Sequence, residues 1–415
     1  MKKVSCLLFL CVVFLHISCG IEDEEIEEGI DQEEIVRNES RFSDIQFTDD
    51  ELNTLTETLN LRKSLFNYAN PAIPEYFYES YGSLPYQDNT PNNNEVSDAG
   101  ATLGRVLFYD VTLSANNTIS CASCHQQDKG FSDPAQFSVG LNGESTKRHS
   151  MTLINSRWYE KRGFFWDERA PTLEDQVLLP IQDHVEMGLS IAELVARLER
   201  LNYYQVLFKK AYGDEAVTEE RIAKALSQFT RSIVSYNSKF NKAVRADNLD
   251  EVPETEMVEL STLTAQENIG LDIFYNFATC GYCHAGPAHV ADSMKNNGLD
   301  LVYLDKGKAE WTGNPRDNAL FKPPSLANIA LTAPYMHDGR FATLREVVDH
   351  YSDNISAHPN LNFRLTTEDR DGTVGGTPLR LELDEVQKEA LVAFLKTFTD
   401  ETISSDEKYS DPFRF

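Results

Sequence analysis

Apolar residues along this chain recur mostly every three or four positions. Ile191, Leu194, Val195, Leu198 and Leu201 fall on one helical face, and Ile222, Ala225, Leu226, Phe229 and Ile233 on another. Ser190 to Glu193 and Thr264 to Glu267 have the spacing of capping boxes, so each predicts a helix start. The second of these helices runs toward Cys280. A last helix is expected from Asp384 through Phe398, and an early one around Asp49 to Tyr68. Strand-like alternation is scarce, which predicts a mostly α protein. A Pro/Asn-rich stretch from Pro85 to Asn94 and a charged, Pro-containing stretch from Asp247 to Thr262 punctuate the pattern.

The first nineteen residues differ from the rest. Met1-Lys2-Lys3 precede an apolar run from Val4 to Ile17, followed by Ser18-Cys19. This reads as an export signal, with Cys19 placed for acylation after cleavage and a lipid anchor. His16 stands where lipoprotein signals usually carry Leu, so plain secretory cleavage stays open. The acidic run from Glu22 to Glu28 reads as a solvated tether, or as the acidic export tag of surface lipoproteins, because like charges repel and cannot form a core. No other apolar run is long enough to cross a bilayer. A chain of 415 residues exceeds what one core usually supports, and its net charge of −28 argues against a nucleic-acid partner. The expected organisation is a signal over 1–19, a tether over 20–45 and an N-terminal helical extension over 46–95. Two larger domains follow over 96–255 and 256–400, and a C-terminal tail over 401–415.

Four cysteines lie beyond the signal: Cys121, Cys124, Cys280 and Cys283. In an oxidising compartment four thiols would suggest two disulfides, but their arrangement points elsewhere. Cys121-Ala122-Ser123-Cys124-His125 and Cys280-Gly281-Tyr282-Cys283-His284 are both Cys-x-x-Cys-His, the attachment signature of c-type haem. One helical turn sets two sulfurs beside the two vinyl groups of a porphyrin edge, and the next residue brings an imidazole under the iron. With 7 Cys and 9 His in 415 residues, roughly 0.003 chance matches are expected. Zinc held by four thiolates would not explain a His after both pairs. A thioredoxin-like pair would want a βαβ context, which is missing. The reading is therefore two covalently bound haems c, with His125 and His284 as proximal ligands. Leu103 to Phe108 ahead of Cys121 and Gly270 to Phe274 ahead of Cys280 repeat the same order, an apolar helix leading into the motif. This is the pattern of a duplicated cytochrome c unit.

The surrounding segments resemble the bacterial dihaem cytochrome c peroxidases and their relative MauG. The similarity runs over about residues 95 to 400. It is carried by Leu103-Gly104-Arg105 through Cys121, Phe165-Trp166-Asp167-Glu168-Arg169, Pro180-Ile181-Gln182 through Val185-Glu186-Met187, and Leu331 through Gly339. The resemblance implies that Trp166 lies between the haems and relays electrons. It also implies that Glu186, twenty residues beyond Trp166, is the acid/base for peroxide, and that Gln176, ten beyond, orients it. Pro180 would shape the distal wall. On its own, Trp166 reads as a core residue and Glu186 as a solvated acid. Many members carry a distal His that blocks the first iron, and the matching residue here is Leu141, which cannot ligate. The family's calcium is implied at the carbonyls of Thr332 and Pro334. However, His149 replaces an Asn there, and that cation prefers oxygen. At the second iron Met is usual, whereas this chain has Tyr351, as in MauG. Neighbouring His350 points about 100° away on a helix, so only one of them can face the haem. His184, His289, His337 and His358 read as hydrogen-bonded or exposed histidines.

Three functions compete. The first is a periplasmic or cell-surface peroxidase that reduces hydrogen peroxide with electrons from a small cytochrome or similar donor. The second is a MauG-like enzyme that uses peroxide to oxidise side chains of a partner protein. The third is a plain electron carrier. An acid/base and an open first iron disfavour the third. Tyr351 favours the second, and the resemblance as a whole favours the first, a cytochrome c peroxidase type of oxidoreductase.

Overall fold

The computed structural model describes residues 41–414, except 75, 80–83, 160–162, 250–257, 279, 285–287, 290–292 and 369–373. The export segment, Cys19 and the acidic run lie outside the described residues. Among the described residues no helix is long and apolar enough to cross a membrane.

The fold is mostly α and is built twice from the same crossing. In the first half, helix α1 (Asp98–Tyr109) packs across helix α2 (Glu219–Ser232); in the second, helix α3 (Ala265–Asp272) packs across helix α5 (Glu385–Lys396), with helix α4 (Leu344–Asp353) alongside. Each starts at a side-chain cap. Ser97 accepts from the Gly100 N–H, Thr218 from Arg221, and Thr264 and Asp384 form complete capping boxes with Glu267 and Gln387. The box expected at Ser190 is only half made. Ser190 Oγ accepts from the Glu193 N–H, but the Glu193 carboxylate turns to Arg197 at 2.9 Å.

Both crossings depend on a glycine. A Cβ on Gly104 would run into the Ala225 carbonyl and Phe229, and one on Gly270 into the Ala390 carbonyl and Phe394. The obstructing pair is Ala and Phe four residues apart in both halves, which marks them as two cytochrome c-like units. Gly104→Ala is expected to cost about 1–3 kcal/mol from overpacking, against which the better helix propensity of Ala returns about 1 kcal/mol. A lowered midpoint in chemical denaturation checks this, and an unchanged one would mean the helices do not need this approach.

The first core holds Leu103, Val106, Leu107, Ile222, Leu226 and Phe229, and the second Phe274, Val348, Leu391, Phe394 and Phe398. Three sequence expectations shift. The helix Lys239–Ala246 places Phe240, Ala243 and Val244 in the second core, although it precedes the 247–262 stretch. Phe42–Gln46, read as the end of the tether, is a strand, β1. It pairs antiparallel with β2 (Ser64–Phe66), Phe42 stacking on Phe66 at 5.4 Å. The early helix therefore stops at Thr56, well before Tyr68. Beyond it, the backbone of 58–60 bonds the returning C-terminal segment, Asn60 N–H to Pro412 O at 2.6 Å and Arg414 N–H to Thr58 O at 3.0 Å. That segment is no loose tail, since Ile403 and Tyr409 lie in the first core.

Candidate active site

The first motif is a single helical turn, Cys121–Cys124, entered from α1 through the Asp110 to Ser120 loop. The turn ends at His125, whose Nδ1 sits 3.0 Å from the Phe131 carbonyl. Donation there fixes the tautomer and leaves Nε2 as the free ligand atom. Burial holds the His125 pKa below its ordinary value, keeping the ring in the neutral form that binds a metal. Burial also pushes the thiols up, Cys121 to about 12 and Cys124 to about 11. Among the described residues none of the four motif cysteines is in a disulfide, and no three His, Cys, Asp or Glu side chains converge on a common point.

The second motif opens on a cavity of about 210 Å³. Cys280, Cys283 and His284 line it together with Phe274, Leu344 and Val348, which contribute apolar wall, and with Tyr351 and Trp166. An apolar chamber with two thiols, an imidazole and a phenol fits an attached porphyrin with a ligand on each face. Tyr351 and His350 divide as the helix geometry requires. Tyr351 lines the cavity, burial raising its pKa well above the usual phenol range, while His350 Nε2 faces the Asn297 carbonyl at 3.0 Å. Asn297 is a residue that sequence reasoning missed. Its Nδ2 lies 3.4 Å from both the Tyr351 hydroxyl and Met336 Sδ. Nothing in the chain around it signals that role, because it sits in a loop brought in by packing. His337, read as hydrogen-bonded or exposed, is buried on the cavity wall and stacks on Phe321 at 3.8 Å. His289 is likewise buried, against Phe398 at 4.1 Å.

Trp166 lies between the second cavity and the segment that carries His149. Its ring lines the second cavity, and its Nε1–H donates to the His149 carbonyl at 2.7 Å. The His149 ring is close enough to influence His125 electrostatically. Glu186 lies near enough to the first motif to raise the pKa of both thiols. Burial, aided by Asp183 and opposed by Arg169, pushes its own pKa up to about 7. Leu141 stands beside it, its N–H directed to the Val185 and Glu186 carbonyls at 3.2 and 3.1 Å. Gln176 ends the turn Leu173–Gln176, and Pro180 opens the turn Leu179–Gln182 that leads into the Glu186 loop.

The calcium expectation meets an obstacle. The His149 ring fills the space where oxygens gather: Nδ1 is 3.2 Å from the Ala135 carbonyl and 3.3 Å from that of Gln136, and Nε2 is 3.2 Å from Ser132 Oγ. The Thr332 carbonyl also faces this ring. These oxygens thus face an imidazole, whereas calcium prefers oxygen ligands, and this bears on the expectation at Thr332 and Pro334.

Residues 98–249 match the family model described as di-haem cytochrome c peroxidase. The chain is 30% identical over 309 residues to the methylamine utilization protein MauG of Methylophilus methylotrophus, covering 74% of this chain and 84% of that one. It is 32% identical over 321 residues to the cytochrome c551 peroxidase of Nitrosomonas europaea, covering 76% and 83%. Among solved structures, a MauG-like protein associated with microbial copper homeostasis aligns with a TM-score of 0.66 at 30% identity, over 83% of this chain and 99% of that one. With its doubled helix crossing, its two Cys-x-x-Cys-His turns and this likeness over most of its length, the chain belongs to the dihaem cytochrome c peroxidase and MauG family.

Proposed function

We propose that this protein is an exported dihaem peroxidase that reduces hydrogen peroxide with electrons from a small cytochrome or similar donor. The haems would be held covalently, one by Cys121 and Cys124 with His125, the other by Cys280 and Cys283 with His284 and Tyr351. When bound, they supply iron that exchanges electrons with peroxide. The observation that carries the reading is Glu186, a carboxyl of pKa about 7 set beside the first attachment turn. A carboxyl at that value gives up and takes back a proton near neutral pH, as peroxide reduction requires. Gln176 and Pro180, on the turns ahead of it, would orient the peroxide and shape its wall. Trp166 would pass electrons between the sites. The basic start, the apolar run and Cys19 support export to the periplasm or cell surface with a lipid anchor.

A second reading has its own observation. Tyr351 on the cavity wall offers a hard oxygen donor that stabilises oxidised iron. That favours holding oxidising equivalents for a partner protein's side chains, as in MauG-like chemistry.

The test starts with the purified protein. It is expected to retain its haem through acid-acetone extraction at two irons per chain, and to consume peroxide with a reduced cytochrome as donor. Extractable haem would overturn covalent attachment, and inertness toward peroxide would overturn the function.

A further inference from the structure

The chain has three tryptophans, Trp158, Trp166 and Trp311. Trp158 is buried in a small apolar cluster, and Trp166 lines the second cavity and donates to the His149 carbonyl. Trp311, in the turn Ala309–Thr312, is 52% exposed. Its indole Nε1–H donates to the carbonyl of Asp167 at 3.0 Å, and Asp167 is the residue bonded directly after Trp166. One residue of backbone and one hydrogen bond therefore separate the inner indole from a surface indole.

The contact is built rather than incidental. The Asp167 carboxylate is almost fully buried and is held by Arg148 at 2.6 Å and Arg169 at 3.0 Å. Arg148 extends from Asp167 to Asp305, at 2.7 and 2.8 Å, in the segment that leads to Trp311. Lys308 approaches Glu168 at 3.7 Å. Behind them, Tyr303 and Phe321 share a buried cluster with Trp166. The segment carrying Trp311 is thus fastened to Trp166, Asp167 and Glu168 by charge, hydrogen bond and apolar packing together.

We propose that Trp311 is the outer end of an electron path from Trp166 to the surface, where one-electron donors too large to enter the protein deliver electrons. The proposal rests on the peroxidase reading above. Reduction of one hydrogen peroxide to two waters takes up two electrons and two protons. When Trp166 has given up an electron inward, Trp311 gives one electron to Trp166, keeps its N–H on the Asp167 carbonyl, and becomes the oxidised indole. An external donor then returns one electron to Trp311. Two such cycles balance one peroxide. A purely structural Trp311, tying its loop to the core, would carry no charge, and its fate would not depend on Trp166.

The experiment mixes the haem-loaded, fully oxidised protein with peroxide and no donor, so that the protein itself must supply electrons. Oxygen addition is then mapped by peptide mass spectrometry, and radicals are followed by EPR. Oxidation is expected to concentrate on Trp311 and to spare Trp158. Trp166→Phe is expected to lower the yield at Trp311 several-fold with haem content unchanged. Trp311→Phe is expected to abolish the tryptophan radical signal of the exposed indole, while Trp158→Phe retains it. Equal oxidation of Trp311 in the parent and in Trp166→Phe overturns the path. So does a parent that consumes peroxide yet shows neither a mark nor a radical on Trp311. Failure of the parent to consume peroxide at all overturns both the path and the function beneath it.

Discussion

Glu186→Gln is expected to lower peroxide turnover by on the order of a hundred- to ten-thousand-fold, the usual loss when a positioned acid/base is removed. Haem content and fold should be unaffected, because the amide keeps the shape of the carboxyl. Stopped-flow consumption of peroxide at matched haem content measures the effect, and turnover within a few-fold of the parent would reduce Glu186 to a bystander. The pH dependence sharpens the test. To accept the first peroxide proton Glu186 must be ionised, so the parent rate should rise with pH through about 7 and then level off. In the glutamine variant that rise should vanish. Stability should move the other way. The folded value of about 7 lies above the ordinary 4.5, so the folded state holds this proton more tightly than the unfolded chain. The stabilisation is present at acid pH and is lost as pH rises toward about 7, by up to about 3 kcal/mol. Glu186→Gln, which never ionises, should therefore melt no lower than the parent at pH 8. A variant that loses activity while keeping or gaining stability is hard to explain by damage to the fold.

The fully oxidised parent is expected to react with peroxide on mixing, without prior half-reduction, and Leu141→His is expected to abolish that reaction. The Leu141 N–H is directed to the Val185 and Glu186 carbonyls, and the leucine side chain lies against Gly188. A leucine there offers no ligand, whereas an imidazole in the same place could occupy the open position of the first iron. The other histidine of this region, His149, is already committed. Both its ring nitrogens face oxygens of Ser132, Ala135 and Gln136, and its carbonyl accepts from Trp166. Stopped-flow mixing with peroxide, with and without half-reduction, separates the outcomes. If only the half-reduced parent reacts, the open-site argument is wrong. If Leu141→His reacts like the parent, residue 141 does not guard the iron.

The sequence alone determined the helices and the two attachment turns, because both are local. Ser97, Thr264 and Asp384 cap within three residues of themselves, and the α1, α2 and α5 faces are written in a 3.6-residue period. Cys-x-x-Cys-His needs only one turn of chain to place its sulfurs and imidazole. The repeated order of apolar helix and motif also exposed the duplication. That only one of Tyr351 and His350 can face the cavity followed from the angle between neighbours on a helix, whereas the choice of Tyr351 rested on the family resemblance; Tyr351 is the one that lines the cavity.

Only the tertiary structure decided the rest, since those features depend on partners far along the chain. Residues 64–66 became a strand because Phe42–Gln46 lies beside them, and the early helix ended where the C-terminal segment took up the backbone of 58–60. Phe240 joined the second core although its helix precedes the apparent boundary. Glu186, a surface acid by its local sequence, has its pKa raised to about 7 because packing takes it partly out of water, with Asp183 nearby. The His149 ring meets Ser132, Ala135 and Thr332 only because loops around 132–136 and 332 converge on it. Trp311 reaches Asp167 across 144 residues of sequence. Periodicity records which face of a segment is apolar; it does not record which distant carbonyl, carboxylate or ring will meet that face.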